Sequence, residues 1–206
     1  MTKTNTMELQ DLTIAHFHDH MGASAEAAET LPESITMAAE LLFACLVNDG
    51  KILICGDGHH SSNASHLCNA LMSRHGQDRP ALPALHIGAD SALQSTLMHQ
   101  NPKQELFARQ ITTLGQAGDV LVVLAGPQDS SNVLQAVQAA HAQDMQVIVI
   151  GSQQMQQLDA VLVPDDITIA VPGERFATLL QQQLMVALMI SDLIDYQLFG
   201  SNEEYV

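Results

Sequence analysis

"ICGDGHHSSNASHLCNAL", Ile54 to Leu71, is the stretch on which the reading of this chain turns. An apolar, strand-like run from Lys51 to Cys55 breaks at Gly56-Asp57-Gly58, and a helix rich in serine and histidine is expected to follow. A strand that passes through a glycine turn into a helix is a common way to hold phosphate, because the first N–H groups of a helix have no partner inside it. Glycine after a strand is also the ordinary way to turn a chain, so the surroundings must decide.

Working outward, the sequence alternates between two periods. Met7 to Met21 and Glu33 to Val47 carry apolar residues at helical spacing, parted by Leu31-Pro32, where proline suits a helix start. Apolar strand candidates follow at Ile52 to Cys55, Ala84 to Ile87, Val120 to Leu124, Val147 to Ile150 and Ile167 to Val171. Helical stretches lie between them at Ser61 to Ser73, Gln104 to Gly115 and Ser130 to Gln143, and a long helix from Glu174 to Tyr196 closes the chain. Strands that are apolar throughout are buried on both faces, so the alternation predicts an α/β fold with a parallel sheet covered by helices. In such a sheet a ligand binds beyond the carboxyl ends of the strands, near the switch in strand order. Two strand ends qualify: Gly56-Asp57-Gly58-His59-His60-Ser61 after the first strand and Ala125-Gly126-Pro127-Gln128-Asp129-Ser130 after the third.

Composition narrows the function classes. The chain has 206 residues, 47% of them hydrophobic, enough for one domain with a sizeable core. Twenty-three acidic residues against seven basic ones give a formal charge of −16. With no lysine or arginine cluster, a phosphate backbone is repelled, so no direct nucleic-acid partner is expected. No apolar run reaches the roughly eighteen residues of a membrane span. Met1 to Asp11 lacks the basic flank and apolar block of a signal peptide, so the cytoplasm is the expected location. Cys45, Cys55 and Cys68 are odd in number and sit in apolar contexts, which predicts buried reduced thiols rather than a disulfide framework.

The segments "KILICGDG", "NASHLCNALMSRHGQDRPALPAL", "LFARQITTLGQAGDVLVVL" and "DLIDYQLF" occur in one order over almost the whole chain and resemble the sugar isomerase (SIS) domain family. That group contains sedoheptulose-7-phosphate isomerase, also called phosphoheptose isomerase, and the DnaA initiator-associating proteins (DiaA). "LPESITMAAELL", "GQAGDVL" and "DLIDYQLF" place it nearer the second branch. The resemblance implies a three-layer α/β/α fold with a five-stranded parallel sheet, doubly wound and flavodoxin-like, spanning residues 1–206 as a single domain. Residues 1–49 would form N-terminal helices, 50–199 the α/β core and 200–206 a flexible tail. It also implies a homotetramer.

Isomerase chemistry needs an acid and a base beside an enediol. The heptose isomerases supply a histidine and a glutamate from the helix after the first strand, and a glutamine and a histidine from the last helix, four groups that can hold zinc. The matching positions here are His66, Ala70, Leu180 and Leu188, which leaves one donor of four, and neither Asn69 nor Gln181 to Gln183 supplies a carboxylate. The family's Asn-Asp pair after the second strand aligns with His99-Gln100. In the phosphate cradle, His60 stands at a serine position, Pro127 removes a backbone donor, Asp129 adds negative charge, and Ser130 alone stays in register. A vestigial pocket of Gly56, Asp57, Gly58, His59, His60, Ser61 and Ser130 is expected, its glycines now architectural. Charged histidines there would make a new anion site rather than the inherited one.

"HFHDH", His16 to His20, places two histidines one helical turn apart, the minimum for a chelate, but with no third ligand in view it reads as a solvated helix face. His66 reads as a packed remnant. No catalytic residue, metal or cofactor is assigned. Leu198 and Phe199 admit two readings: a staple onto the domain, or an exposed apolar pair that anchors a partner. The resemblance gives the pair a role in contacting DnaA. Apolar surface beyond the need of one sheet face, at Ile35, Leu41, Leu42, Leu184, Val186 and Leu188, suggests contacts between subunits. The expectation is a non-enzymatic SIS scaffold that binds the replication initiator DnaA and promotes its assembly at the origin. The alternative is a phosphoheptose isomerase or another SIS protein that binds a sugar phosphate.

Overall fold

The computed structural model describes residues 3–73, 78–100, 105–128 and 130–200. Asp129 and the tail from Ser201 to Val206, on which two expectations rest, lie outside them. Five parallel strands, β1 (Ile52–Gly56), β2 (Ala84–His86), β3 (Val120–Leu124), β4 (Gln146–Ser152) and β5 (Ile167–Val171), form one sheet in the order β2-β1-β3-β4-β5. The order reverses between β1 and β3, so the crevice above those two strands is where this topology places a ligand.

Burial explains why the strands were readable. β1 and β3 are buried at every position, and β4 at all but Gln146, because helices cover both faces. The edge strand β5 alternates instead, with Ile167, Ile169 and Val171 facing inward. One core layer packs Ile52, Ile54, Val122, Ile148 and Ile169 against helices α2 (Pro32–Val47), α3 (His60–Met72) and α8 (Phe176–Phe199). The other packs Leu53, Val123, Val147 and Val149 against α5 (Ala108–Leu114) and α6 (Ser131–His141).

Several elements depart from expectation. The first helix, α1, runs from Lys3 to Thr30, well past Met21, because the segment Gly22 to Thr30 continues it on alanines too small to mark an apolar stripe. Two helices went unread: α4 (Ser91–Gln100), which buries no residue, and the four-residue α7 (Gln156–Asp159). Ile35, Leu42 and Val186, expected to serve subunit contacts, are spent in this chain's own core, whereas Leu41, Leu184 and Leu188 are half-buried. Helix α1 leaves six large apolar side chains exposed: Met7, Leu9, Leu12, Ile14, Phe17 and Met21. Helix α8 is long and apolar enough to cross a membrane by length and composition, yet half of its most apolar stretch is buried inside the fold. Leu198 packs against the core and Phe199 is exposed, so the expected exposed pair is split between its two readings.

All three cysteines are free and buried. Burial pushes the Cys55 thiol up to about 12, with the charge of Asp57 adding to it, and that of Cys45 to about 11. Neither offers a thiolate near neutral pH.

Candidate functional site

A cavity of about 410 Å³ opens above β1 and β3. Its walls are the β1–α3 turn (Asp57, Gly58, His59, His60), the β3–α6 loop (Ala125, Gly126, Pro127, Gln128, Ser130) and Phe176 at the start of α8. Five of the seven expected pocket residues therefore meet here. Gly56 lies beneath it, and Ser61 turns away, its hydroxyl 3.3 Å from the ring Nε2 of His86. The residues that the sequence reading missed are Phe176 and Gln183, both contributed by α8.

The two turn glycines do different jobs. A Cβ on Gly56 would lie 2.7 Å from the carbonyl oxygen of His60, so a side chain is excluded by the close passage of strand and helix. Gly58 has φ +54° with open space around it, so its need is conformational. Asp57, between them, ties the two loops together. Its Oδ1 accepts the Gly58 N–H at 2.9 Å, and its Oδ2 accepts the hydroxyl of Ser130 and, at 3.5 Å, the side-chain amide of Asn132. Ser130 in turn caps α6 by accepting the Asn132 N–H at 3.2 Å.

One expectation fails at the start of α3. The N–H groups of His60, Ser61 and Ser62 donate to the carbonyls of Asp57, Gly58 and His59 at 3.1–3.2 Å, so they are not free for an anion. What faces the cavity instead is imidazole. His59 and His60 both stand edge-on to Phe176, with ring centroids 5.1 and 6.1 Å away. His60 is 9% exposed, and its Nδ1 lies 2.7 Å from Oε1 of the fully buried Gln183. Gln183 anchors itself by donating to the carbonyls of Ala125 at 2.6 Å and Ile150 at 3.0 Å. Burial lowers the pKa of His60, outweighing the Gln183 hydrogen bond and the Asp57 charge that raise it, and His59 lowers it further. Burial therefore favours the neutral form of the ring.

Helices α3 and α8, on which the resemblance placed the four zinc-donor positions, lie side by side, with the Asn63 amide donating to the Leu180 carbonyl at 2.9 Å. His66 is exposed rather than packed, Ala70 is buried, and Leu180 and Leu188 are half-buried. Among the described residues no three His, Cys, Asp or Glu side chains gather as a metal cluster. The donor set at these positions does not fit zinc, and no step is routed through one. His99 and Gln100 sit exposed at the end of α4. In "HFHDH", His16, Phe17, His18 and Asp19 are exposed and only His20 is half-buried; Asp19 pairs with Arg175, and His16 Nε2 lies 3.3 Å from the Arg175 guanidinium.

The SIS domain family model matches residues 16–152. The chain is 36% identical over 197 residues to a phosphoheptose isomerase of Chromohalobacter salexigens, covering 96% of this chain and 100% of that one. A phosphoheptose isomerase of Laribacter hongkongensis is 35% identical, with 95% and 100% covered. Among solved structures, the phosphoheptose isomerase from Francisella tularensis superposes with a TM-score of 0.85 at 30% identity, covering 95% of this chain and 99% of that one. Phosphoheptose isomerase GmhA from Neisseria gonorrhoeae gives 0.84 at 33%, covering 91% and 98%. These matches overturn the expectation of a DnaA-binding scaffold. The end-to-end relatives carry the isomerase name, and they support the alternative reading instead.

Proposed function

The chain belongs to the SIS domain family, and on that premise we propose that it binds a sugar phosphate, of the class handled by phosphoheptose isomerases, in the cavity above β1 and β3. The observation that supports this most is the coincidence of an end-to-end match to phosphoheptose isomerases with a retained cavity at the topological switch point. The cavity offers polar side chains (His59, His60, Gln128, Ser130) beside the apolar Phe176, the mixture that fixes a small polar ligand in one orientation.

A second reading, turnover of sedoheptulose 7-phosphate, is favoured by that same end-to-end identity. The residues at the family's metal positions do not supply it, so any proton transfer would fall to the cavity's own groups. A neutral imidazole such as His60 is the right kind of group for moving a proton near pH 7. One experiment addresses both readings: sedoheptulose 7-phosphate is added to the purified chain, and both the melting temperature and the isomerised product are followed. Stabilisation with product supports both readings, and stabilisation without product supports binding alone. No change in melting at millimolar ligand would remove the proposal.

The assembly we propose is a homotetramer in the cytoplasm. Its support is the exposed apolar stripe of Met7, Ile14, Phe17 and Met21 on α1. Sedimentation as a monomer at micromolar concentration would contradict it.

A further inference from the structure

The cavity is short of the donors that a phosphate needs. A sugar phosphate carries a charge of about −1.5 to −2 at neutral pH, yet among the described residues no lysine or arginine lines the walls. The N–H groups at the start of α3 are spent on carbonyls of their own turn, the Ser130 hydroxyl donates to Asp57, and Pro127 has no N–H to give. Among the lining side chains, positive charge can come only from His59 and His60. Of these two, His60 is fixed in place. Its Nδ1 lies 2.7 Å from Oε1 of the fully buried Gln183, whose side-chain nitrogen donates to the Ala125 carbonyl at 2.6 Å and to the Ile150 carbonyl at 3.0 Å. Turning the amide over would set its oxygen against those two carbonyl oxygens, so Oε1 accepts from His60. The neutral ring therefore keeps its one hydrogen on Nδ1 and leaves a lone pair on Nε2, on the edge beside Gly126 in the cavity wall. A lone pair repels a phosphate oxygen. A second proton, on Nε2, turns that edge into a donor and supplies the missing positive charge in the same step.

We propose that this chain holds the phosphate of its ligand through the imidazolium form of His60, so that binding takes up one proton from solvent. The inference rests on the sugar-phosphate reading and deepens it by giving the phosphate end of the cavity a proton requirement. Solvent or buffer acid gives the proton to Nε2, and the new N–H donates to a phosphate oxygen. Burial disfavours the charged ring until an anion arrives to compensate it. The charged and titratable groups facing the ring are Asp57, which favours the extra proton, and His59, which opposes it when charged. Among the described residues, α8 presents Phe176 and Gln183 to the ring and the β3–α6 loop presents Gly126, none of which titrates. A serine at this position, as the resemblance implies for the family, donates without any proton being taken up. The proton requirement is therefore a property of the histidine that stands here.

The test is a calorimetric titration of sedoheptulose 7-phosphate into the full chain at pH 7.5, repeated in buffers of different ionisation enthalpy, so that the slope of heat against that enthalpy counts protons. Uptake of about one proton per ligand is expected. Affinity should also fall about tenfold from pH 7 to pH 8, a range in which the free ligand is mainly the dianion. Nitrogen NMR of the ¹⁵N-labelled chain, with the His60 signals identified by their loss in His60→Ser, should show Nδ1–H alone in the free protein and both ring nitrogens protonated in the complex. Two variants separate this proton from that of any other group. His60→Ser, which puts a neutral donor at the position, should bind with no proton taken up and a flat pH profile. Gln183→Met, confirmed as folded by circular dichroism, frees the tautomer, so a neutral ring can donate from Nε2 and uptake should drop to about half or less; this arm holds even if the serine variant fails to fold. Binding by wild type without proton uptake, or uptake undiminished in either folded variant, would overturn the proton requirement and leave sugar-phosphate binding intact. Absence of binding by wild type at both pH 6 and pH 7.5 would instead remove the sugar-phosphate reading, and this inference with it.

Discussion

The two ends of the sheet treat their polar groups in opposite ways. At the amino ends of the strands each buried charge is fully occupied. Asp119 accepts the Lys51 ammonium at 2.5 Å, the Lys51 N–H at 2.9 Å and the Gln116 N–H at 2.8 Å, which pins the entrances to β1 and β3 together. Asp166 does the same for β4, taking the Val147 and Val163 N–H groups at 3.1 and 2.9 Å and His141 at 2.9 Å. At the carboxyl ends Asp57 is engaged by Ser130, Asn132 and the Gly58 N–H, but His60 is held from one side only, by Gln183, and the cavity lies beside it. Polar groups that satisfy one another stabilise the fold, and those left half-satisfied in a fixed orientation can recognise something else. The difference supports the cavity as the place of the proposed ligand without reference to any relative.

The contrast breaks most visibly at Asp119. Asp119→Ala strands the Lys51 ammonium and two backbone donors at a buried junction, and the expected cost is about 3 kcal/mol of stability. Ligand affinity at the cavity, on the far side of the sheet, should stay within twofold at a temperature where the variant is folded. Chemical denaturation and calorimetry on the same sample check both halves.

Glycine replacements sharpen the same contrast at the other end. Gly56→Ala drives a methyl into the His60 backbone, so it should cost about 2 kcal/mol and also weaken ligand binding by displacing the ring. Gly58→Ala has room for its methyl and meets only the left-handed backbone, which costs about 1 kcal/mol. A Gly58→Ala variant less stable than Gly56→Ala would show that the close approach at Gly56 is not what constrains the turn.

A smaller effect is expected from pH. The folded-state pKa of His60 lies below the ordinary 6.5, chiefly through burial, and that of His86 is lowered by burial too. As pH falls through that ordinary value the unfolded chain takes up protons that the folded chain refuses. The stability tied to these rings is therefore complete above about pH 6.5 and declines below it. Melting temperature should fall between pH 7 and pH 5.5, and the fall should be shallower in His60→Ser because His86 alone remains. Identical slopes would mean that His60 is not held neutral.

How much of this could be read from the chain follows from what each contact leaves in a sequence. β1, β3 and β4 announce themselves because both faces are buried, and the Gly56-Asp57-Gly58 turn marks where the first of them ends. Helix α4 buries nothing, and the second half of α1 rests on alanine, so neither carries the apolar stripe by which helices are recognised. At the site, His59, His60 and Ser130 were legible because they adjoin strand ends. Gln183 was not, since the contact spans 123 positions and the resemblance pointed to Leu180 and Leu188 on the same helix. A signal did exist: three consecutive glutamines interrupt the apolar first half of α8, and two of them, Gln182 and Gln183, are wholly buried, which demands buried partners. The initiator-scaffold expectation rested on a few segment likenesses, whereas the end-to-end relatives are phosphoheptose isomerases.

The most direct measurement of the central claim is a calorimetric titration of sedoheptulose 7-phosphate into wild type and Gly126→Val, in which the new side chain would push His60 into the cavity. Binding in the cavity predicts saturable heat with one site per chain in wild type, abolished in a Gly126→Val protein whose circular dichroism still reports a folded chain. Absence of heat in wild type up to millimolar ligand, or undiminished binding by the folded variant, would contradict it.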